Sequence, residues 1–240
     1  MAVTIAGVVG SWWVAPYEAS SCCSKAVQDS IVRAMIYSFG SICLGSLLVA
    51  IVQTFQFIVK QIRESSYQRG GSGLLVCCAD CILTCADALL RYFNKWAFIY
   101  VGIYGYAYFE AATNVMILFN TRGWNIIIQD DLVNNCLFLV SLVIGLLTGA
   151  TGVVVNLINE DWFEVFDSNA PFITFSLGLL IGVLLSSIMM SVVSSAFHSV
   201  IVLFCEAPAE FQSNHPVLHS NLIRQYIQSG RIPGPTVILV

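Results

Sequence analysis

The chain has 240 residues, of which 58% are hydrophobic and only 10% charged, with a formal net charge of −4. Soluble domains carry about 25% charged residues, so a water-soluble fold of this length would have too little polar surface to cover itself. The composition predicts an all-α, polytopic transmembrane helical bundle with the bilayer as its main solvent. No Lys/Arg-rich run points to a nucleic-acid partner.

Met1 to Val14 is apolar, has no basic segment before it, and closes on Trp12, Trp13 and Pro16. That is not the pattern of a signal peptide, and the run is shorter than the about 20 residues a span needs. It reads as the second half of a transmembrane helix, a partial span over residues 1–14. Residues 34–59 form the first full span, interrupted only by Gln53 and Gln56 and followed by Lys60 and Arg63. A polar, glycine-rich loop then runs from Arg63 to Gly73.

From Leu74 to Phe93, Asp80, Thr84, Asp87 and Arg91 share one helical stripe, with Cys78, Ile82, Cys85 and Leu89 opposite. The spacing predicts an amphipathic interfacial helix, lying along the membrane surface. Trp96 to Phe119 is apolar again, yet contains Glu110 and four tyrosines. Residues 132–158 and 171–205 are the remaining spans, the last long enough to tilt or extend past the bilayer. A polar tail covers residues 216–240.

The cations Lys60, Arg63, Arg69, Arg91 and Lys95 place the region between the first full span and Trp96 on the cytoplasmic side. The acidic loop from Asn159 to Ala170 belongs outside, and the tail with Arg224 and Arg231 inside. A full crossing by Trp96–Phe119 would put Arg122 and a loop containing Asp130 outside, and the acidic loop inside. The preferred resolution is that 96–119 is embedded or re-entrant, since irregular backbone at membrane depth survives where protein buries it. The alternative is that Leu74–Phe93 crosses, submerging Asp80, Asp87 and Arg91.

Gly145 and Gly149 form a GxxxG followed by Gly152, while Gly178, Gly182 and Ser186 repeat the spacing before Ser187, Ser191, Ser194 and Ser195. Small residues let helix backbones approach in lipid. Such stripes predict tight helix packing, or a helix pair lining a polar path. Glu110 is an ionisable group deep in an apolar segment, which is costly without a cavity or partner. With Tyr104 and Tyr108 beside it, one carboxylate and aromatic faces would suit a quaternary ammonium ion, which donates no ordinary N–H hydrogen bond. The other reading is an interfacial tyrosine belt with Glu110 capping a neighbouring helix. His198, one turn after Ser194, reads as a hydrogen-bonded packing residue or a proton relay.

Of the nine cysteines, Cys43, Cys136 and Cys205 behave as small hydrophobes in apolar runs. Only Cys22 and Cys23 sit in a polar loop open to oxidation. Cys77, Cys78, Cys81 and Cys85 lack a second knuckle and a nearby His, so apolar packing or palmitoylation is favoured over metal binding. No nucleotide loop, Ser/His/Asp arrangement, HExxH or paired-carboxylate motif is present, so neither an enzyme nor a cofactor is expected.

The stretch Gly40-Ser41-Ile42-Cys43-Leu44-Gly45-Ser46-Leu47-Leu48-Val49-Ala50-Ile51-Val52-Gln53 is similar to a conserved-type block of the choline transporter-like family. So is Asn94-Lys95-Trp96-Ala97-Phe98-Ile99-Tyr100 with Ile103-Tyr104-Gly105, as is a long final span bounded by Phe204-Cys205-Glu206. Over residues 1–215 the chain resembles the C-terminal half of that family, in particular its fungal and protist members. The resemblance implies a transporter of choline or a related organic cation in the plasma membrane, with membrane lipid around it. The family pattern carries an acidic residue near the position of His198, and this chain departs from it there. Residue reading and resemblance together give a substrate-binding set of Glu110, Tyr104, Tyr108, Trp96 and His198, with no metal. A non-transporting membrane scaffold or assembly subunit is the alternative.

Overall fold

A computed structural model describes residues 1–17, 19, 24–68, 74–158 and 170–228. Cys22, Cys23 and most of the acidic loop at 159–170 therefore lie outside the described residues. Every regular element among those described is helical: α1 (Ala2–Val14), α2 (Lys25–Val32), α3 (Phe39–Gln68), α4 (Leu74–Tyr104), α5 (Tyr108–Ile158), α6 (Ala170–Glu206), α7 (Pro208–Asn214) and α8 (Pro216–Gln228). Among the described residues, three helices are long and apolar enough to cross a membrane: Phe39–Glu64, Asp130–Ile158 and Ala170–Glu206. Only 6%, 17% and 11% of their most apolar stretches are buried within the protein. Leu47, Phe55, Phe138, Leu147, Leu185 and Met189 all face outward. In water such faces would drive aggregation; in hydrocarbon they are the solvent-facing side, which makes this an integral membrane protein.

The first span opens at Phe39 rather than Ala34, because Arg33–Tyr37 form a π-helical turn and Ser38 leaves helical geometry at φ −95°, ψ 1°. The helix expected to end at Phe93 continues to Tyr104. Its polar stripe is turned onto α3 and its apolar stripe outward: Asp80 and Asp87 are largely covered while Cys78, Ile82, Cys85 and Leu89 are exposed. Three contacts fix an antiparallel register between the two helices. Asn94 Nδ2 donates to the Gly45 carbonyl (3.1 Å), Gln56 Nε2 to that of Leu83 (2.9 Å), and Arg63 Nη1 to Asp80 Oδ2 (2.5 Å). The cations read as one cluster are thereby divided, with Arg63 at one end of the pair and Lys95 beside the other.

The chain splits into two compact units, Met1–Thr121 with Ser199–Val240, and Arg122–His198. In the first, residues 94–102 of α4 form the core and are covered on nearly every side. Gly102 allows α1 to cross there: a Cβ at Gly102 would stand 2.5 Å from the Val3 carbonyl oxygen and 2.7 Å from the Ala6 Cβ. The helix stops at Gly105, whose φ of +75° is open to glycine and strained for most L-residues. The chain then reverses, and Phe119 of α5 packs against Tyr92, Phe93 and Trp96 of α4 with ring centroids 5.5–5.8 Å apart. At the C-terminal side, Trp13 stacks on Phe211 at 4.5 Å and donates from Nε1 to the Ala207 carbonyl at 3.1 Å.

In the second unit α5 and α6 run antiparallel with their glycine stripes facing. Gly149 meets Phe175, Gly152 meets the Thr174 carbonyl, and a Cβ at Gly178 would stand 3.1 Å from the Gly149 Cα. The Thr148 hydroxyl donates across the pair to the Gly178 carbonyl at 3.0 Å. α5 also runs unbroken through residues 122–131, so Asp130 sits on a helix rather than in the loop expected from Arg122 and its neighbours.

Candidate functional site

The carboxylate that meets the tyrosines is Glu206, at the last position of α6. The Tyr100 hydroxyl donates to Glu206 Oε1 at 2.6 Å, and Tyr104 lies near the same carboxylate. Tyr104 stacks on Tyr106 (centroids 5.3 Å, planes 20° apart) and lies 6.0 Å from the Tyr100 ring. Tyr100 is fully buried, whereas Tyr104 is 38% exposed and Glu206 is exposed. The result is an open aromatic surface with a carboxylate at its edge. The turn at Gly105 creates it, by placing Tyr104 and Tyr106 on either side of a chain reversal.

The five residues expected to form one site occupy separate surroundings. Tyr104 belongs to the Glu206 cluster. Glu110 is exposed in the first turn of α5, where free N–H groups and the positive helix end favour a carboxylate. Tyr108 is 7% exposed, with its ring 6.3 Å from Phe98 and against Gly45. Trp96 is wholly buried and packs edge-on to Phe119, so it has no surface to offer a ligand. Glu110 was singled out as an ionisable group deep in an apolar segment with Tyr104 and Tyr108 six and two residues before it, but on a helix positions i and i+2 diverge.

His198 is likewise sealed within the second unit. Its Nε2 stands 2.5 Å from Asp130 Oδ1, and its Nδ1 contacts the Ser194 carbonyl. Mutual pairing is how two ionisable groups survive burial. Asn134 donates to the same Asp130 oxygen at 2.9 Å and accepts from Ser194 at 3.3 Å. Asp130 was missed because it was assigned to a loop, and Asn134, inside the span 132–158, was not singled out. The signal available was the i, i+4 spacing of Asp130 and Asn134, matched by Ser194 and His198. No group of three or more His, Cys, Asp or Glu residues suited to a metal ion occurs among the described residues.

Residues 1–209 match the family model described as plasma-membrane choline transporter. The chain is 30% identical over 228 residues to Protein PNS1 of Gibberella zeae, covering 93% of this chain and 41% of that protein. It is 28% identical over 231 residues to Protein PNS1 of Debaryomyces hansenii, covering 94% of this chain and 44% of the relative. It thus spans less than half the length of these curated relatives. With nearly all of its helical portion inside that family model, the chain belongs to the choline transporter-like family.

Proposed function

We propose that this chain acts in the transport of choline or a related small organic cation, binding it at the aromatic surface beside Glu206. The observation that carries this reading is the Tyr100–Glu206 hydrogen bond with Tyr104 and Tyr106 stacked next to it. A quaternary ammonium ion is held by ring faces and by a nearby negative charge, each without an N–H donor. The chemistry is binding and alternating access at the plasma membrane, not bond making. Family membership supports the substrate class. The scaffold reading drew on the glycine stripes, but α5 and α6 use those stripes against each other, so they do not call for a partner chain.

Binding of radiolabelled choline to the purified protein, and its uptake into proteoliposomes, test the proposal. Saturable binding that weakens about threefold to fivefold in Glu206→Gln, as expected when an exposed charge contact worth up to roughly 1 kcal/mol is lost, would support it. Binding unchanged by both Glu206→Gln and Tyr104→Leu would remove the site. A protein that neither binds nor moves an organic cation, but associates stably with partner helices, would favour the scaffold.

A further inference from the structure

Four thiols stand on α4, apart from the Glu206 cluster. Cys77, Cys78, Cys81 and Cys85 are all exposed and unbridged. They belong to the side of α4 turned away from α3, where Ile82 and Leu89 are 68% and 59% exposed. Every exposed residue from Cys77 to Leu89 is Cys, Ile, Leu, Ala or Thr. The hydroxyl among them, that of Thr84, donates to the Asp80 carbonyl of its own helix at 2.7 Å. The face is therefore apolar apart from its sulfur atoms, and the thiols are its reactive groups.

The register against α3 sets their depth. Arg63, next to the end of the apolar span at Glu64, meets Asp80, while Gln56 meets Leu83 further into the span. Cys77, Cys78 and Cys81 thus stand level with the end of the span, and Cys85 lies about 6 Å deeper than Cys81. Lys60 and Arg63 mark this end as the cytoplasmic one. Cysteines four apart on a helix have Cβ atoms about 5–6 Å from each other, too wide for the roughly 4 Å of a disulfide. Acyl transfer suits the place better. It needs a thiol that can ionise beside water and hydrocarbon to receive the chain, and a juxtamembrane cysteine has both.

We propose that Cys77, Cys78 and Cys81 form an S-acylation site, which takes a long-chain fatty acyl group as a thioester. The cysteine Sγ attacks the carbonyl carbon of a long-chain acyl-coenzyme A presented by a membrane acyltransferase. The bond from that carbon to the coenzyme A sulfur breaks. Coenzyme A leaves as its thiol, with the proton that the cysteine gave up. The chain then lies over Ile82 and Leu89 in the bilayer.

The test uses the full chain in the membranes of a eukaryotic host. Free thiols are blocked, thioesters are cleaved with hydroxylamine, and the thiols released are tagged with a maleimide polymer that retards the band on a gel. The unaltered chain should show a hydroxylamine-dependent shift, and Cys77→Ser/Cys78→Ser/Cys81→Ser should lose it. Cys43→Ser should keep it, because Cys43 is as exposed but lies about 30 Å from Arg63 along α3. Cys85→Ser should also keep it, since that thiol is set deeper in the hydrocarbon. Tandem mass spectrometry of the unaltered chain should place the acyl group on Cys77, Cys78 or Cys81, which locates it without any variant. No shift in the unaltered chain, or an acyl group found only on other cysteines, would overturn the proposal. So would a shift that survives in the triple variant or disappears in Cys43→Ser or Cys85→Ser. Each of these outcomes leaves the Glu206 reading untouched.

Discussion

The Tyr100 hydroxyl and the Glu206 carboxylate, 106 positions apart in sequence, meet in a 2.6 Å hydrogen bond. One end of the contact is buried and the other open. Removing the donor and removing the charge should therefore have different effects. Tyr100→Phe leaves an exposed carboxylate that water can serve, so the cost should be about 0.5–1.5 kcal/mol of stability, with choline binding reduced less than in Glu206→Gln. Thermal unfolding in detergent and radioligand binding, measured on both variants, check the ordering. Equal loss of binding in the two would mean that the hydroxyl, rather than the charge, matters.

Asp130 and His198 make the second testable pair. Both are almost completely buried, so His198→Leu takes from Asp130 the ring nitrogen it faces at 2.5 Å and should cost about 3–5 kcal/mol. The double variant Asp130→Leu/His198→Leu removes both charges and should recover much of that loss, a coupling expected for residues in direct contact. Unfolding in a mixed-detergent titration reads both. Losses that simply add would show that the pair contributes nothing as a pair.

These two relationships also mark where the sequence stopped being informative. Long apolar runs announced α3, α5 and α6 because a span must be continuous to satisfy its backbone in lipid. The spacing of Gly145, Gly149, Gly178 and Gly182 announced close packing for an equally local reason. The stripe of Asp80, Asp87 and Arg91 was also legible, but periodicity defines a face without saying what it meets. The structure puts α3 there. Asp130 was assigned to a loop, and yet residues 122–131 continue the helix. Glu206 was visible only as the boundary of the last apolar run. Its partnership with Tyr100 depends on how α4 and α6 lie in space, and no local pattern encodes that.

Glycine substitutions in the second unit should divide according to what a new Cβ meets. At Gly145 it would overlap Val183, and at Gly182 it would overlap the Thr148 side chain. Gly145→Val or Gly182→Leu should push α5 and α6 apart at a cost of about 1–3 kcal/mol. Gly40, in the first turn of α3, has nothing within 4 Å of its would-be Cβ. Gly40→Ala should therefore be neutral or stabilise by up to about 1 kcal/mol through helix propensity. Detergent unfolding of all three variants checks the contrast, and a similar loss at Gly40 would refute the assigned packing.

Gly105 tests the link between backbone and site. Its Cβ would meet nothing within 4 Å, so any penalty comes from the φ of +75° alone. Gly105→Ala should cost about 1–2 kcal/mol, the ordinary strain of a left-handed L-residue. Gly105→Asn should cost less, because asparagine tolerates that region. Gly105→Val should cost most, since a branched Cβ is the poorest fit. The same order should appear in choline binding, because the turn sets the Tyr104 and Tyr106 rings against each other at 5.3 Å. If stability follows the order Asn, Ala, Val while binding stays constant, the reversal is real but the tyrosine stack is not where the cation sits.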